Sequence, residues 1–151
     1  LMGKPRSNLY KAFVKKYEEK NLDYGKNQFL VPYMISSHPG STLADAIELA
    51  LYLKEIKHTP QQVQDFYPTP FTVSTCMYYT ERNPYTKEKL YVAKSVHDKA
   101  LQRVLLQYTY PQNYDLVYEA LKQANRLDLV GFSKECLIRP RQKAYHKNRR
   151  P

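Results

Sequence analysis

The sequence lacks tryptophan, closely spaced cysteines and a long apolar run. The last two absences exclude cysteine-rich domains and membrane-spanning helices. Cys76 and Cys136 are far apart, so the cysteine spacings of zinc sites and disulfide-rich domains are missing. We expect both to be free thiols, with Cys136 as a small buried side chain. No apolar run approaches the ~20 residues that span a bilayer, and the first residues do not resemble a signal peptide. These features predict a soluble, cytoplasmic protein without a membrane partner.

The positive charge of the chain is concentrated at one end. The formal net charge is +10, but residues 139–151 contain six Lys or Arg and no acid, which leaves 18 basic and 14 acidic residues elsewhere. This basic segment has few apolar side chains, so we predict that 139–151 is a disordered tail. The remainder of the chain is only mildly basic. The aromatic residues of the whole chain are 15 Tyr and 5 Phe.

The stretch from Phe29 to Pro70 has the order strand, turn, helix, strand. The apolar run Phe29–Ser37 predicts a buried strand, although Pro32 requires that the strand begin after it or lie at a sheet edge. The run ends at the His-Pro-Gly turn 38–40, and Val63–Tyr67 predicts the second strand. Two parallel strands joined by a helix need further strands and covering layers. The pattern therefore predicts part of a larger α/β sheet.

Helices are predicted on both sides of these strands. Apolar residues at helical spacing predict a first helix over residues 8–20, and Thr42 with Asp45 has the form of a capping box that begins the crossover helix. Beyond residue 70 the sequence predicts a short helix at 72–75, a helix from Ser95 to Tyr108 and another over 115–124. Gly131 is predicted to cap the end of that last helical segment. The expected units are 1–70, the mainly helical unit 71–138 and the tail.

Three segments together resemble the later part of the YgiQ-type radical SAM proteins. They are Val31-Pro-Tyr-Met-Ile-Ser-Ser-His-Pro-Gly40, Val63-Gln-Asp-Phe-Tyr-Pro-Thr-Pro70 and Ser74-Thr-Cys-Met-Tyr-Tyr79. The segments Lys99-Ala-Leu-Gln-Arg103, Asp128-Leu-Val-Gly131 and Cys136-Leu-Ile138 are similar to the uncharacterised C-terminal domain of that family. The resemblance covers nearly the whole chain except the first residues and the tail.

The resemblance implies that residues 1–70 are the C-terminal portion of a partial (βα)6 radical SAM barrel and that 71–138 is an accessory domain. Such proteins use a [4Fe-4S] cluster and S-adenosylmethionine, and the family's Cys-x-x-x-Cys-x-x-Cys loop is absent here. Cys76 and Cys136 cannot replace three closely spaced thiolates. We therefore expect that the chain alone has no cofactor, metal site or catalytic residue, and that its partner is the missing N-terminal part of the same polypeptide.

The site residues implied by the resemblance end the two predicted strands, where ligands of parallel α/β sheets bind. In the intact protein they would line the mouth for S-adenosylmethionine or substrate, and they are Ser36, Ser37, His38, Phe66, Tyr67 and Pro68. His38 has two interpretations, a hydrogen-bonding turn residue or a catalytic base. Tyr78 and Tyr79 are expected to pack against neighbouring side chains.

Two functions from different classes follow from the sequence. The first is the C-terminal part of a radical SAM enzyme of unknown substrate, inactive by itself. The alternative is a freestanding nucleic-acid-binding module that uses residues 139–151 and tyrosine stacking, because clustered Lys and Arg release counterions and aromatic rings stack on bases. Specific motifs support the first function, whereas composition alone supports the second.

Overall fold

The structure is a computed structural model that describes residues 7–141. In this part of the chain, five helices and a two-stranded parallel sheet form an α/β arrangement in the order α1 (Ser7–Asp23), β1 (Met34–Ser36), α2 (Leu43–Glu55), β2 (Val63–Asp65), α3 (Val73–Thr80), α4 (Val96–Leu106) and α5 (Tyr114–Gln123). Short 3-10 turns lie at Pro111–Asn113 and Leu127–Leu129. None of the helices in this described part is long and apolar enough to cross a membrane.

The strand–helix–strand order is confirmed, with β1 and β2 paired in parallel. Met34 lies opposite Val63 and Ser36 lies opposite Asp65. The residue after β2 takes part in this pairing, because the Phe66 backbone N–H donates to the Ser36 carbonyl oxygen at 2.8 Å. Parallel order places the carboxyl ends of both strands at the same edge of the sheet.

The capping box that predicted the start of α2 is confirmed. The Thr42 hydroxyl accepts a hydrogen bond from the Asp45 N–H at 3.3 Å, and the Asp45 carboxylate accepts one from the Thr42 N–H at 2.8 Å. These bonds satisfy backbone donors that have no partner inside the helix. Ser95 caps α4 in a similar way, since its hydroxyl accepts from the Asp98 N–H at 2.9 Å. Local sequence therefore determines where both helices begin.

The predicted buried strand over Phe29–Ser37 is wrong in its length and in its burial. Only three residues of this segment form β1, and the residues before β1 belong to no helix or strand, with Phe29 77% and Val31 84% exposed. From residue 29 to residue 35 exposed positions alternate with half-buried ones, although the run is apolar at nearly every position. Every second apolar side chain of this run therefore faces solvent.

One hydrophobic core extends across the boundary predicted at residue 70. Helix α4 packs against α2 on one side and against α5 on the other. The core side chains come from both halves of the chain, and they include Ala46, Ile47, Ala50, Leu101, Leu105, Val117, Leu121 and Ile138. The sequence boundary at residue 70 therefore does not separate two cores.

The glycine cap predicted at Gly131 is wrong. Helix α5 ends earlier, where Asn125 adopts a left-handed conformation with φ 55° and the Arg126 N–H donates to the Leu121 carbonyl oxygen at 2.8 Å. These are features of a Schellman-type helix end. Gly131 instead lies beside Cys136, whose Sγ would be 2.8 Å from a β-carbon at this position. The absence of a β-carbon at Gly131 therefore lets the Cys136 side chain lie close to this backbone.

The start of the predicted disordered tail is held against α5. The Arg141 guanidinium lies 4.0 Å from the centre of the Tyr114 ring and donates to the Asp115 carboxylate at 3.0 Å. Its backbone N–H donates to the Tyr114 hydroxyl at 2.9 Å. Residues 142–151 lie outside the described part, and the disorder predicted for them stays a prediction.

Candidate functional site

The predicted site residues lie at the carboxyl edge of the sheet, and four of them come together. Ser36 and Ser37 end β1 and are buried, while His38 and Phe66 are half-buried. The His38 and Phe66 rings are 5.2 Å apart in an edge-to-face arrangement. Tyr67 is exposed. Pro68 follows it and is half-buried.

The two serines differ in how their hydroxyl groups are used. The Ser36 hydroxyl donates to the Asp65 carboxylate at 2.7 Å, and the other oxygen of Asp65 pairs with Arg103 of α4. The Ser37 hydroxyl is buried and has no hydrogen-bond partner among residues 7–141. Leaving a buried hydroxyl without a partner costs about 1–3 kcal/mol. The Ser37 hydroxyl is therefore a buried polar group that no residue of 7–141 satisfies.

Ser37 also has an unusual backbone conformation. Its φ is 60°, in the left-handed region that residues with a β-carbon rarely adopt. The Gln102 side chain of α4 accepts a hydrogen bond from the Ser37 N–H at 3.1 Å. This contact offsets part of the conformational cost and ties the end of β1 to α4.

His38 is engaged through both ring nitrogens. Its Nδ1 donates to the Pro39 carbonyl oxygen at 2.9 Å, because a carbonyl can only accept. In the neutral ring, Nε2 then accepts from the Ser74 hydroxyl, 2.8 Å away. Both interpretations of His38 fit this arrangement, because a general base also accepts from a hydroxyl through one ring nitrogen while the other nitrogen donates.

An aromatic row extends from the site to the surface. The centre of the Phe66 ring is 5.7 Å from that of Tyr78, and Tyr78 is 5.3 Å from Tyr79. Both tyrosines therefore pack against an aromatic neighbour as expected, although Tyr79 is exposed. Lys99 lies 5.4 Å from the centre of the Tyr78 ring. One wall of the site is therefore aromatic with a positive rim.

A carboxylate at this rim has a perturbed pKa. Lys94 donates a hydrogen bond to Glu81, and this bond, with the charge of the same ammonium, lowers the pKa of Glu81 from its ordinary value. We predict that Lys94→Met raises the pKa of Glu81 toward its ordinary value. Because the folded pKa is lowered, the stabilising contribution is present above that value and is lost as the pH falls through the folded pKa.

Carbon-13 NMR titration of the Glu81 carboxyl measures this change. Glu135, whose pKa is lowered mainly by a hydrogen bond from Ser133, serves as the internal control and is expected to keep its value in the Lys94 variant. An unchanged pKa of Glu81 in Lys94→Met would contradict the assigned cause.

Four residues of this site were not predicted from the sequence, namely Asp65, Ser74, Gln102 and Arg103. Gln102 is 1% exposed and lies between Leu101 and Leu105, which are core residues. A polar side chain among buried apolar positions of a helix is a signal that sequence analysis could have used, because a buried amide requires partners. The other three carry no comparable local signal.

Other sequence features do not form a second site. Cys76 is exposed and Cys136 is half-buried rather than buried as predicted, and both are free. Within the described residues no three His, Cys, Asp or Glu side chains are grouped closely enough to hold a metal ion. A groove of about 690 Å³ lies between α1 and the extended segment before β1, and none of the predicted site residues lines it.

Comparison with known proteins gives one family model and a set of curated relatives. The model, described as a domain of unknown function (DUF3362), matches residues 61–151. A UPF0313 protein of Clostridium botulinum (strain 657 / Type Ba4) is 60% identical over 138 residues, which are 91% of this chain and 22% of that protein. A UPF0313 protein of Methanocella arvoryzae is 53% identical over 146 residues, 97% of this chain and 24% of that protein. The chain thus spans about a quarter or less of these relatives. No solved structure matches it.

Proposed function

Because the chain belongs to the family defined by the domain of unknown function DUF3362, we propose that it is part of a larger radical SAM enzyme, to whose barrel it contributes the last two strands. The observation that carries this proposal is the parallel pair β1 and β2, whose carboxyl ends bring Ser36, Ser37, His38 and Phe66 together. Ligands of parallel α/β sheets bind at this edge. The activity itself would belong to the complete polypeptide.

The exposed apolar face before β1 supports the same proposal. Four apolar or aromatic side chains of this run are exposed and alternate with half-buried positions, namely Phe29, Val31, Tyr33 and Ile35. A sheet of two strands is rarely stable by itself, and apolar side chains on an open sheet favour association with further chain. In the complete polypeptide this face would be covered by the preceding part of the barrel.

The described residues do not fit an iron–sulfur cluster. Cluster ligation needs closely spaced thiolates, and Cys76 and Cys136 have no grouping with other candidate ligands in residues 7–141. The cluster ligands of the proposed enzyme would therefore come from the preceding part of the polypeptide. Residues 7–141 would contribute no ligand to it.

The same residues do fit one side of S-adenosylmethionine. When bound, that cofactor supplies the radical chemistry of the family, and it carries hydroxyl, amino and carboxylate groups beside a flat adenine ring. The unpartnered Ser37 hydroxyl would hydrogen-bond one of the polar groups, and the half-buried Phe66 ring would provide apolar contact. Residues of this chain would hold and orient the cofactor.

The proposal is tested in the complete polypeptide. Its reading frame is expected to encode a Cys-x-x-x-Cys-x-x-Cys motif before this chain. After anaerobic reconstitution with iron and sulfide and reduction with dithionite, the protein is expected to convert S-adenosylmethionine to methionine and 5′-deoxyadenosine. The 151-residue chain alone is the negative control. A frame without the motif, or a reconstituted protein that leaves S-adenosylmethionine intact, would overturn the proposal.

Ser37→Ala separates binding from folding. Because the Ser37 hydroxyl is buried without a partner, its removal is expected to leave the free energy of unfolding unchanged or raise it by up to about 1 kcal/mol. Loss of one hydrogen bond to the cofactor is expected to weaken S-adenosylmethionine binding about five- to tenfold. Calorimetric titration and thermal unfolding of the complete polypeptide measure the two effects.

Ser36→Ala is the matched control for Ser37→Ala. The Ser36 hydroxyl bonds Asp65, so its removal is expected to lower the free energy of unfolding by about 1–2 kcal/mol. Equal cofactor affinity of Ser37→Ala and the unmodified protein would show that the Ser37 hydroxyl does not face the ligand.

A further inference from the structure

The Gln102 side chain connects α4 to both ends of one turn. Its Oε1 accepts from the Ser37 N–H at 3.1 Å, and its Nε2 donates to the Ser41 carbonyl oxygen at 2.8 Å. Gln102 and Ser37 are each 1% exposed, so the bond between them is buried, whereas the bond to Ser41 is partly buried. One amide therefore spans the turn that runs from the end of β1 to the cap of α2.

A second contact from the same part of the chain holds this turn. The Gly40 N–H donates to the Tyr91 carbonyl oxygen at 2.7 Å. Tyr91 and Gln102 both lie within residues 61–151, the stretch that matches the family model. The turn that presents His38 is thus supported by the family domain, across the boundary predicted at residue 70.

We propose that Gln102 is a positioning residue for the cofactor mouth. By fixing the left-handed backbone of Ser37, its side chain sets the direction of the Ser37 hydroxyl and the place of the His38 ring against Phe66. The family domain would then shape the binding site directly instead of forming a remote appendage. This inference rests on the proposed function.

Gln107 provides a matched control on the same helix. Its Nε2 donates to the Gln61 carbonyl oxygen at 3.0 Å and to that of Pro60 at 3.3 Å. These acceptors precede β2, at the amino end of the sheet and away from the mouth. Gln102 and Gln107 thus tie α4 to opposite ends of the strand pair with the same chemical group.

The experiment compares Gln102→Met with Gln107→Met in the complete polypeptide. Methionine keeps the length and helix propensity of glutamine and removes both polar atoms. Hydrogen exchange measured by mass spectrometry reports on the amides of residues 36–41, and calorimetric titration reports on S-adenosylmethionine binding. For Gln102→Met we expect exchange of these amides about tenfold faster or more, and binding about tenfold weaker.

The control separates positioning from general destabilisation. Both variants lose hydrogen bonds to backbone carbonyls and are expected to unfold at a lower temperature, but Gln107→Met keeps the exchange rates of residues 36–41 and the cofactor affinity. Gln102→Glu retains an acceptor for the Ser37 N–H and is expected to restore slow exchange at Ser37 if Gln102→Met is too unstable to purify.

The outcomes distinguish the two proposals. If exchange at residues 36–41 and affinity are the same in Gln102→Met as in the unmodified protein, Gln102 does not position the mouth. Equal losses of affinity in both glutamine variants would also overturn the inference, because they indicate a purely structural role. If the unmodified protein fails to bind S-adenosylmethionine while exchange still responds to Gln102→Met, the proposed function fails, and with it the assignment of the turn to a cofactor mouth.

Discussion

Leu105→Ala is expected to lower the free energy of unfolding by about 2–5 kcal/mol, because it removes a buried leucine and leaves a cavity. Leu105 is fully buried in the cluster formed by α2, α4 and α5. Since a typical domain is stable by about 5–15 kcal/mol, this loss is a large fraction of the total. Chemical denaturation measures it as a lower midpoint with an unchanged slope.

The same variant tests whether the core unfolds as one unit. Because α4 packs against α2 and α5, Leu105→Ala is expected to accelerate hydrogen exchange in both partners. Val96→Ala, at an 86% exposed position of α4, is the control and is expected to change stability by less than about 0.5 kcal/mol. Faster exchange in α5 but not in α2 would indicate two independent units with a boundary near residue 70.

The second large effect is expected at Gly131. A β-carbon there would be 2.8 Å from the Cys136 Sγ, closer than van der Waals contact allows. Gly131 also donates its N–H to the Ile138 carbonyl oxygen at 3.0 Å, which holds the two segments together. Gly131→Ala is therefore expected to cost about 1–3 kcal/mol of stability through overpacking.

A double-mutant cycle shows whether the cysteine causes that cost. Cys136→Ala removes the sulfur, so Gly131→Ala in the Cys136→Ala background is expected to cost at least about 1 kcal/mol less than in the unmodified chain. Thermal unfolding of the four proteins measures the coupling. Additive effects of the two substitutions would show that another contact, and not the Sγ, limits this position.

Helix beginnings were predictable from the sequence because their signals are local. Thr42 with Asp45 and Ser95 with Asp98 are three residues apart, and in each pair the hydroxyl accepts from the N–H of the second residue. The parallel pairing was also predictable, since a helix between two strands favours it. The caps depend on residues that are close in the chain, and the pairing depends on the helix that connects the strands.

The features that were missed depend on contacts between distant residues. Gln102 meets Ser37 across 65 positions, and Arg103 meets Asp65 across 38. Neither spacing leaves a periodic pattern in the sequence. Gly131 was assigned to a helix end because glycine commonly has that role, whereas its actual constraint is the Cys136 side chain folded back against it. Similarly, the apolar run before β1 does not reveal that one of its faces lacks a covering layer.

The turn over residues 37–41, which Gln102 and Tyr91 hold by hydrogen bonds, affects how the family domain can be exchanged between relatives. Its residues lie before the stretch matched by the family model, yet the partners of four of its hydrogen bonds lie within that stretch, namely Ser74, Tyr91 and, twice, Gln102. A chimera that joins this family domain to the preceding part of another relative would have to carry a compatible turn as well. Across relatives, position 102 and the residues of the turn are expected to change together, so that β1 and β2 are inherited together with the family domain.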